Sequence, residues 1–295
     1  MIQPLIFSRE RPAQLDLLLR SIAVNGGGVF GQPTVLAKWS DHRFQRGYEE
    51  CLGEHSALFV PEYDFEAQVW RFLLGKPKKG FFVALCDDNV LYRHLGSFGT
   101  TDGLLADPVA MLHADEDLLC FSLRLGLNTM NCYPHARQQN LPPMVPSGDT
   151  LTWRWCDGDG DLAYPASLDG HIIRVDDVVG ALDGRSFVNP NQMEDALVAG
   201  LRDSPRPLMA SYFLSALVGN PINRTTQTHQ TNRIADFPGC GLEEMNERYL
   251  GGERLSLSMI DAAKVDGAHC EFAPVWEKRG SGSGKKTRRE SEVSS

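Results

Sequence analysis

Apolar and polar positions in the first third of the chain switch between two periods. Four apolar runs, "PLIFS" at 4–8, "PTVLAKWS" at 33–40, "SALFVPEY" at 56–63 and "GFFVALCDDNVLYR" at 80–93, have the length and composition of strands. The segments between them, "AQLDLLLRSIAV", "RFQRGYEECLGEH" and "FEAQVWRFLLG", carry apolar residues at helical spacing. Pro12 suits the first turn of the first helix and "NGGG" at 25–28 stops it. Strand and helix alternating in this way imply right-handed βαβ crossovers. The expected fold is α/β, a doubly wound and mostly parallel sheet with helices on both faces. Ligands of such sheets bind beyond the carboxyl ends of the strands.

The second half is less regular. "LLCFSLRLGL" at 118–127 reads as a strand, and "TLTWRWCDGDGDLAYPASLDGHIIR" at 150–174 mixes aromatic residues with acidic turns. "DDVVGAL" at 176–182 and "NQMEDALVAGL" at 191–201 read as helices, the latter after an "NPN" start signal. "SALVGNPINRTTQTH" at 215–229 gives a strand and a polar loop, and "LEEMNERYLGG" a helix with a glycine stop. There is no internal repeat. The tail 280–295 has almost no hydrophobic residue and is expected to be disordered.

Bulk properties narrow the class. The 295 residues carry a net charge of -9, and the one basic cluster lies in the tail, so a nucleic-acid surface is not expected. Seven scattered cysteines never fall as C-x-x-C, which argues against a zinc framework or disulfide scaffold and for a reducing compartment. No signal-peptide pattern opens the chain, and no apolar run reaches the ~20 residues of a membrane span. A cytoplasmic protein without a transmembrane segment is expected.

The candidate chemistry begins where "FFVAL" runs into Asp87 and Asp88. Adjacent carboxylates repel unless a cation offsets them, and hard oxygen ligands suit Mg2+ or Mn2+ held together with the phosphates of a substrate. The plainer alternative is an Asx turn or helix cap. "CDGDGD" at 156–161 fails as a calcium loop, because Leu162 and Leu168 stand where glycine and an acidic ligand are needed. Trp153, Trp155 and Tyr164 either form a sugar-stacking platform or are core aromatics.

The segments "LIFSRERPAQLDLLLRSI", "VALCDDN", "AYPASLDGHIIR" and "FVNPNQMEDAL" together resemble the GT-A glycosyltransferases, the nucleotide-diphospho-sugar transferases. The resemblance covers roughly residues 4–276. Its D-x-D metal motif is replaced here by Asp87-Asp88-Asn89 after Cys86. It implies one domain over 1–279, with a nucleotide-binding half at 1–95 and an acceptor-side half at 96–279. It implies a UDP- or GDP-linked sugar donor, a glycan or other hydroxyl acceptor, and Mn2+ or Mg2+. Asp88 is the implied metal ligand, with Asp87 at the metal or near the ribose or sugar, and His269 as a later ligand with His229 its rival. Ser8, Arg9 and Arg11 are placed near the nucleotide, and Ser40 and Asp41 near the base or ribose. The "QMEDAL" element resembles the acidic element of inverting members, which makes Asp195 or Glu194 the base, Asp195 slightly ahead, with Asp169 a third candidate. Two other readings stand beside it. A sugar nucleotidyltransferase would carry a glycine-rich loop after the first strand, and "FSRERPAQ" has no glycine. A non-catalytic sugar-nucleotide-binding protein would have lost the carboxylate pair. A dinucleotide-binding dehydrogenase is disfavoured, since no G-x-G-x-x-G follows the first strand.

Overall fold

The computed structural model describes residues 1–96, 106–225 and 233–280. His229 and all of the tail beyond residue 280 lie outside the described residues. The first third follows the expected alternation: β1 (Ile2–Arg9), α1 (Pro12–Asn25), β2 (Thr34–Lys38), α2 (His42–Glu54), β3 (Leu58–Pro61), α3 (Phe65–Leu74) and β4 (Phe81–Cys86). The expected single strand over 80–93 divides. After β4 the chain turns at Asp87-Asp88 and resumes as β5 (Asn89–Leu91), which joins a different, two-stranded sheet. Asn89 enforces the break, because its Oδ1 accepts the Cys86 N–H at 2.9 Å.

The rest of the chain comprises α4 (Pro108–Ala114), β6 (Leu118–Ser122), β7 (Asn131–Cys132), β8 (Arg137–Gln138), β9 (Val145–Ser147) and β10 (Thr150–Arg154). There follow β11 (His171–Arg174), α5 (Val175–Leu182), α6 (Pro190–Leu201), β12 (Leu208–Tyr212), β13 (Leu217–Gly219), α7 (Leu242–Leu250), β14 (Glu253–Leu255) and β15 (Trp276–Lys278). The sequence pattern did not announce β12.

Nine strands form the main sheet in the order β3-β2-β1-β4-β11-β6-β12-β10-β9. β11 pairs antiparallel with both β4 and β6, and β10 antiparallel with β12 and β9. The other neighbours are parallel, so all strands but β11 and β10 run the same way. This is the α/β, doubly wound, mostly parallel arrangement expected from the alternation.

The continuous apolar run of β4 follows from burial on both faces. Phe82 and Ala84 enter one core with Val69 of α3, Val178 of α5 and Met193 and Leu197 of α6. Phe81, Val83 and Leu85 enter the other with Leu15 and Leu18 of α1, Tyr48 of α2 and Leu112 of α4. A third core under β5 and β13 gathers Val90, Val218, Met259 and Phe272. All seven cysteines are free thiols. No helix among the described residues is long and apolar enough to cross a membrane.

Candidate active site

The carboxyl ends of β1, β2, β4 and β6 and the amino end of antiparallel β11 lie along one edge of the sheet. A cavity of about 570 Å3 opens there. Its walls include Ser8, Arg9, Arg11, Lys38, Asp87, Asp88, Arg124, Asp169, Glu194 and His269.

The two adjacent aspartates do different work. Asp87 is 4% exposed and is turned toward the β1–α1 connection. Its carboxylate accepts from Ser8 Oγ at 2.9 Å, the Arg9 backbone N–H at 3.0 Å and Arg11 Nη1 at 2.9 Å. A carboxylate has about four lone-pair sites, so Asp87 is largely spent on holding this turn. Tyr48 completes the arrangement, its hydroxyl meeting Ser8 Oγ at 2.7 Å and accepting the Arg11 N–H. Asp88 instead meets Arg11 Nη1 only at 3.6 Å. Burial, together with the charges of Asp169 and Asp87, pushes its carboxyl up to about 6 despite Arg11. Asp88 is therefore the carboxylate left for a cation.

Arg11 lines the cavity, but its guanidinium is committed to the protein. Nε donates to Asn223 Oδ1 at 2.9 Å, Nη2 to the Asn223 carbonyl, and Nη1 to Asp87. It anchors Asp87 and Asn223 at the cavity wall. Gln14 donates to the same Asn223 Oδ1.

On the opposite wall, Asp169 sits in a network of donors. Asn89 Nδ2 donates to its Oδ1 at 3.2 Å, His269 Nε2 lies 3.4 Å from its Oδ2, and Arg124 Nη1 lies 3.7 Å from the same oxygen. Burial opposes ionisation, but His269, Arg124 and Asn89 together hold this carboxyl well below the usual range. Burial likewise opposes the charged His269, and the contact with Asp169 overcomes it and raises the imidazole. His269 Nδ1 is buried without a hydrogen-bond partner. An imidazole with one nitrogen held by a carboxylate and the other unpartnered is the usual arrangement of a metal-binding histidine. Asp88 and His269 thus fit a divalent ion, with Asp169 orienting the ring. Cavity charge supports the same fit. Six carboxylates (Glu62, Asp87, Asp88, Asp161, Asp169, Glu194) face five Lys and Arg (Arg9, Arg11, Lys38, Arg124, Arg233) and the imidazole of His269, so cationic groups do not outnumber acidic ones in the lining.

α6 presents Glu194 to the cavity. Asn189 caps this helix through the Gln192 N–H, and Pro190 opens it. Glu194 Oε1 accepts the Leu168 N–H at 3.1 Å. Burial, with Asp169 nearby, pushes its carboxyl up to about 7. Asp195 is exposed and does not line the cavity, because one step along the helix rotates it outward. Of the two candidate bases, Glu194 faces the cavity. Ser40 and Asp41 are also outside the lining. Asp41 is the N-cap of α2, accepting from the Arg43 and Phe44 N–H groups, and Ser40 is an exposed turn residue.

The aromatic platform is corrected too. Trp153 is buried and donates to the Leu162 carbonyl, while Trp155 donates to the Arg206 carbonyl. Tyr164 alone of the three lines the cavity. The "CDGDGD" acids pair with arginines: Asp159 with Arg137 at 2.6 Å and Asp161 with Arg124 at 2.7 Å. Residue patterns missed Tyr48, Arg124 and Asn223. For Arg124 a signal existed, a single cation inside the apolar run "LLCFSLRLGL". A second, more open cavity of about 850 Å3 adjoins the first and shares Cys132, Tyr133, Arg233 and His269 with it.

In comparisons with known proteins, no protein family and no curated protein matches the sequence. Among solved structures, a crystal structure of S. aureus TarS, residues 1–349, is similar with a TM-score of 0.43 at 13% identity. The alignment covers 74% of this chain and 59% of that one, so the chain spans less than two thirds of that structure.

Proposed function

We propose that this protein is a metal-dependent, inverting glycosyltransferase that moves a sugar from a nucleoside-diphosphate donor to an acceptor hydroxyl. The observation that carries the reading is the division of labour across the sheet-edge cavity. A carboxylate available to a cation, Asp88, stands beside an Asp169-supported imidazole, His269, and a carboxyl pushed up to about 7, Glu194, lies in the same cavity.

In this reading Asp88 and His269 would hold Mn2+ or Mg2+, which when bound would supply charge neutralisation for a diphosphate leaving group. Ser8 and Arg9 lie where the nucleotide approaches the β1–α1 turn. The acceptor enters through the adjoining 850 Å3 groove, beside Tyr133 and Arg233. Glu194 accepts the proton of the attacking hydroxyl as its oxygen bonds to the anomeric carbon and the bond to the diphosphate oxygen breaks. A base that ionises near neutrality matches that task. Asp169, fixed in the ionised form, keeps the His269 ring in place.

Thermal unfolding with UDP and GDP, each with and without Mn2+, tests the reading. A diphosphate at 100 times its Kd adds about 2.7 kcal/mol of stability. Stabilisation that requires the metal and disappears in Asp88→Ala is expected. Equal stabilisation in chelator would overturn the metal assignment.

A further inference from the structure

A second cluster of ligand-type side chains lies away from the cavity, between α1, α2 and α7. Asp16 of α1, Cys51 of α2 and His55 at the end of α2 place one carboxylate oxygen, one sulfur and one ring nitrogen all within 4.8 Å of one another. His55 follows the last residue of α2 in extended conformation, and its ring comes back to the Cys51 and Asp16 side chains. Asp16 and Cys51 are fully buried, and the His55 side chain is 11% exposed, which leaves one route in from solvent.

We infer that Asp16, Cys51 and His55 form a zinc-class metal site that staples α1 to α2. The donor set of one thiolate, one imidazole and one carboxylate is that of Zn2+ rather than Mg2+ or Mn2+. Tetrahedral coordination puts such donor atoms roughly 3.3–3.6 Å apart at ordinary zinc bond lengths. The wider donor spacings, up to 4.8 Å, would close by about 1 Å, while the Asp16 Oδ1–His55 Nε2 pair, now hydrogen-bonded at 2.7 Å, would open by about 0.6 Å to admit the ion. The other Asp16 oxygen, Oδ2, is held by Arg20 Nε at 2.8 Å, an outer contact that orients the ligand oxygen.

An independent observation points into the same spot. Tyr249 of α7 is fully buried, and its hydroxyl faces the Cys51 sulfur, where it favours the thiolate against the burial that pushes the thiol up. It lies close enough to Cys51 and Asp16 for their charges to act on it. That hydroxyl is available to a metal-bound thiolate or to a water in the fourth position. On binding, the Cys51 sulfur exchanges its proton for the metal, and the proton leaves to solvent. The site lies one helical turn beyond Pro12, so it would steady the helix whose start carries Arg11.

Chelator-treated full-length protein titrated with Co2+ tests the assignment. One equivalent should produce a thiolate-to-cobalt charge-transfer band, displaced by Zn2+, and Zn2+ should raise the unfolding midpoint by about 5 °C. Cys51→Ala should lose the band, and His55→Ala, altered at a partly exposed position, should weaken Co2+ binding at least tenfold. Asp88→Ala should keep both signals, which separates this site from the cavity. A band that survives in Cys51→Ala would overturn the inference, as would unchanged Co2+ affinity in His55→Ala or wild-type protein that gives no band.

Discussion

Gly219 makes the room that the His269 ring occupies. A Cβ built on Gly219 would stand 2.2 Å from His269 Cδ2. The two backbones are bridged in parallel, with the Gly219 N–H donating to the Ala268 carbonyl at 2.9 Å and the Cys270 N–H to the Gly219 carbonyl at 2.9 Å. Replacing Gly219 by alanine should push the imidazole off Asp169 while β13 stays paired. The expected result is a circular dichroism spectrum like wild type with metal-dependent nucleotide affinity at least ~10-fold weaker, about 1.4 kcal/mol. Unchanged affinity would separate His269 from the metal.

Glu194 should cost stability in exchange for its chemistry. A carboxyl whose folded-state pKa is raised from 4.5 to about 7 binds protons preferentially in the folded protein. Its contribution is intact below pH 4.5 and is lost as the pH rises through 7. Glu194→Gln should therefore match wild type near pH 4.5 and exceed it by roughly 2 kcal/mol at pH 8 in denaturant melts. The same variant should lose about 10²–10⁴-fold in transfer rate. Wild-type activity should rise between pH 6 and 8.

The neighbouring aspartates should respond oppositely to loss of charge. Asp87→Asn leaves the Arg11 guanidinium, 11% exposed, without its carboxylate and should destabilise by about 3 kcal/mol. Asp88→Asn removes a carboxyl raised to about 6, and in metal-free buffer at pH 8 should be neutral or stabilising by about 1 kcal/mol. Urea melts of the two variants decide this. Equal losses would mean that the pair acts as one unit.

His171 sets an acid limit of the opposite sign. Burial, with Arg124 nearby, lowers its imidazole to about 3, and its Nδ1 faces the Pro165 carbonyl at 3.1 Å. Unfolded, the ring takes up a proton near its ordinary 6.5, so its share of stability is present above that pH and is lost progressively as pH falls toward 3. His171→Asn should flatten that part of the stability curve, as read by melts between pH 7 and 4.

Much of the first half was legible because β4 and its parallel neighbours are apolar on both faces and the helices between them keep their period. The division of 80–93 was not, since it turns on one side-chain hydrogen bond from Asn89 rather than on hydrophobicity. β12 was hidden by its short, mixed sequence "LMASY", whose burial comes from its partners β6 and β10. At the site, Asp87 and Asp88 stood out as adjacent carboxylates ending an apolar run, and the family resemblance pointed to His269; the structure brings Asp88, Asp169 and His269 to one cavity. The resemblance put Asp195 slightly ahead of Glu194, and it is Glu194 that faces the cavity and accepts the Leu168 N–H. Asn223 was out of reach, because it meets Arg11 across 212 residues of chain.

The place of β11 has a consequence for synthesis on the ribosome. β4 has one partner, β1, as soon as it emerges, but its second, antiparallel partner is encoded some 85 residues later. Until residues 171–174 are made, an apolar strand presents an open edge to other nascent chains or to a chaperone. Truncations ending between 100 and 170 should therefore collect in the insoluble fraction, and a chain that extends past β11 should not.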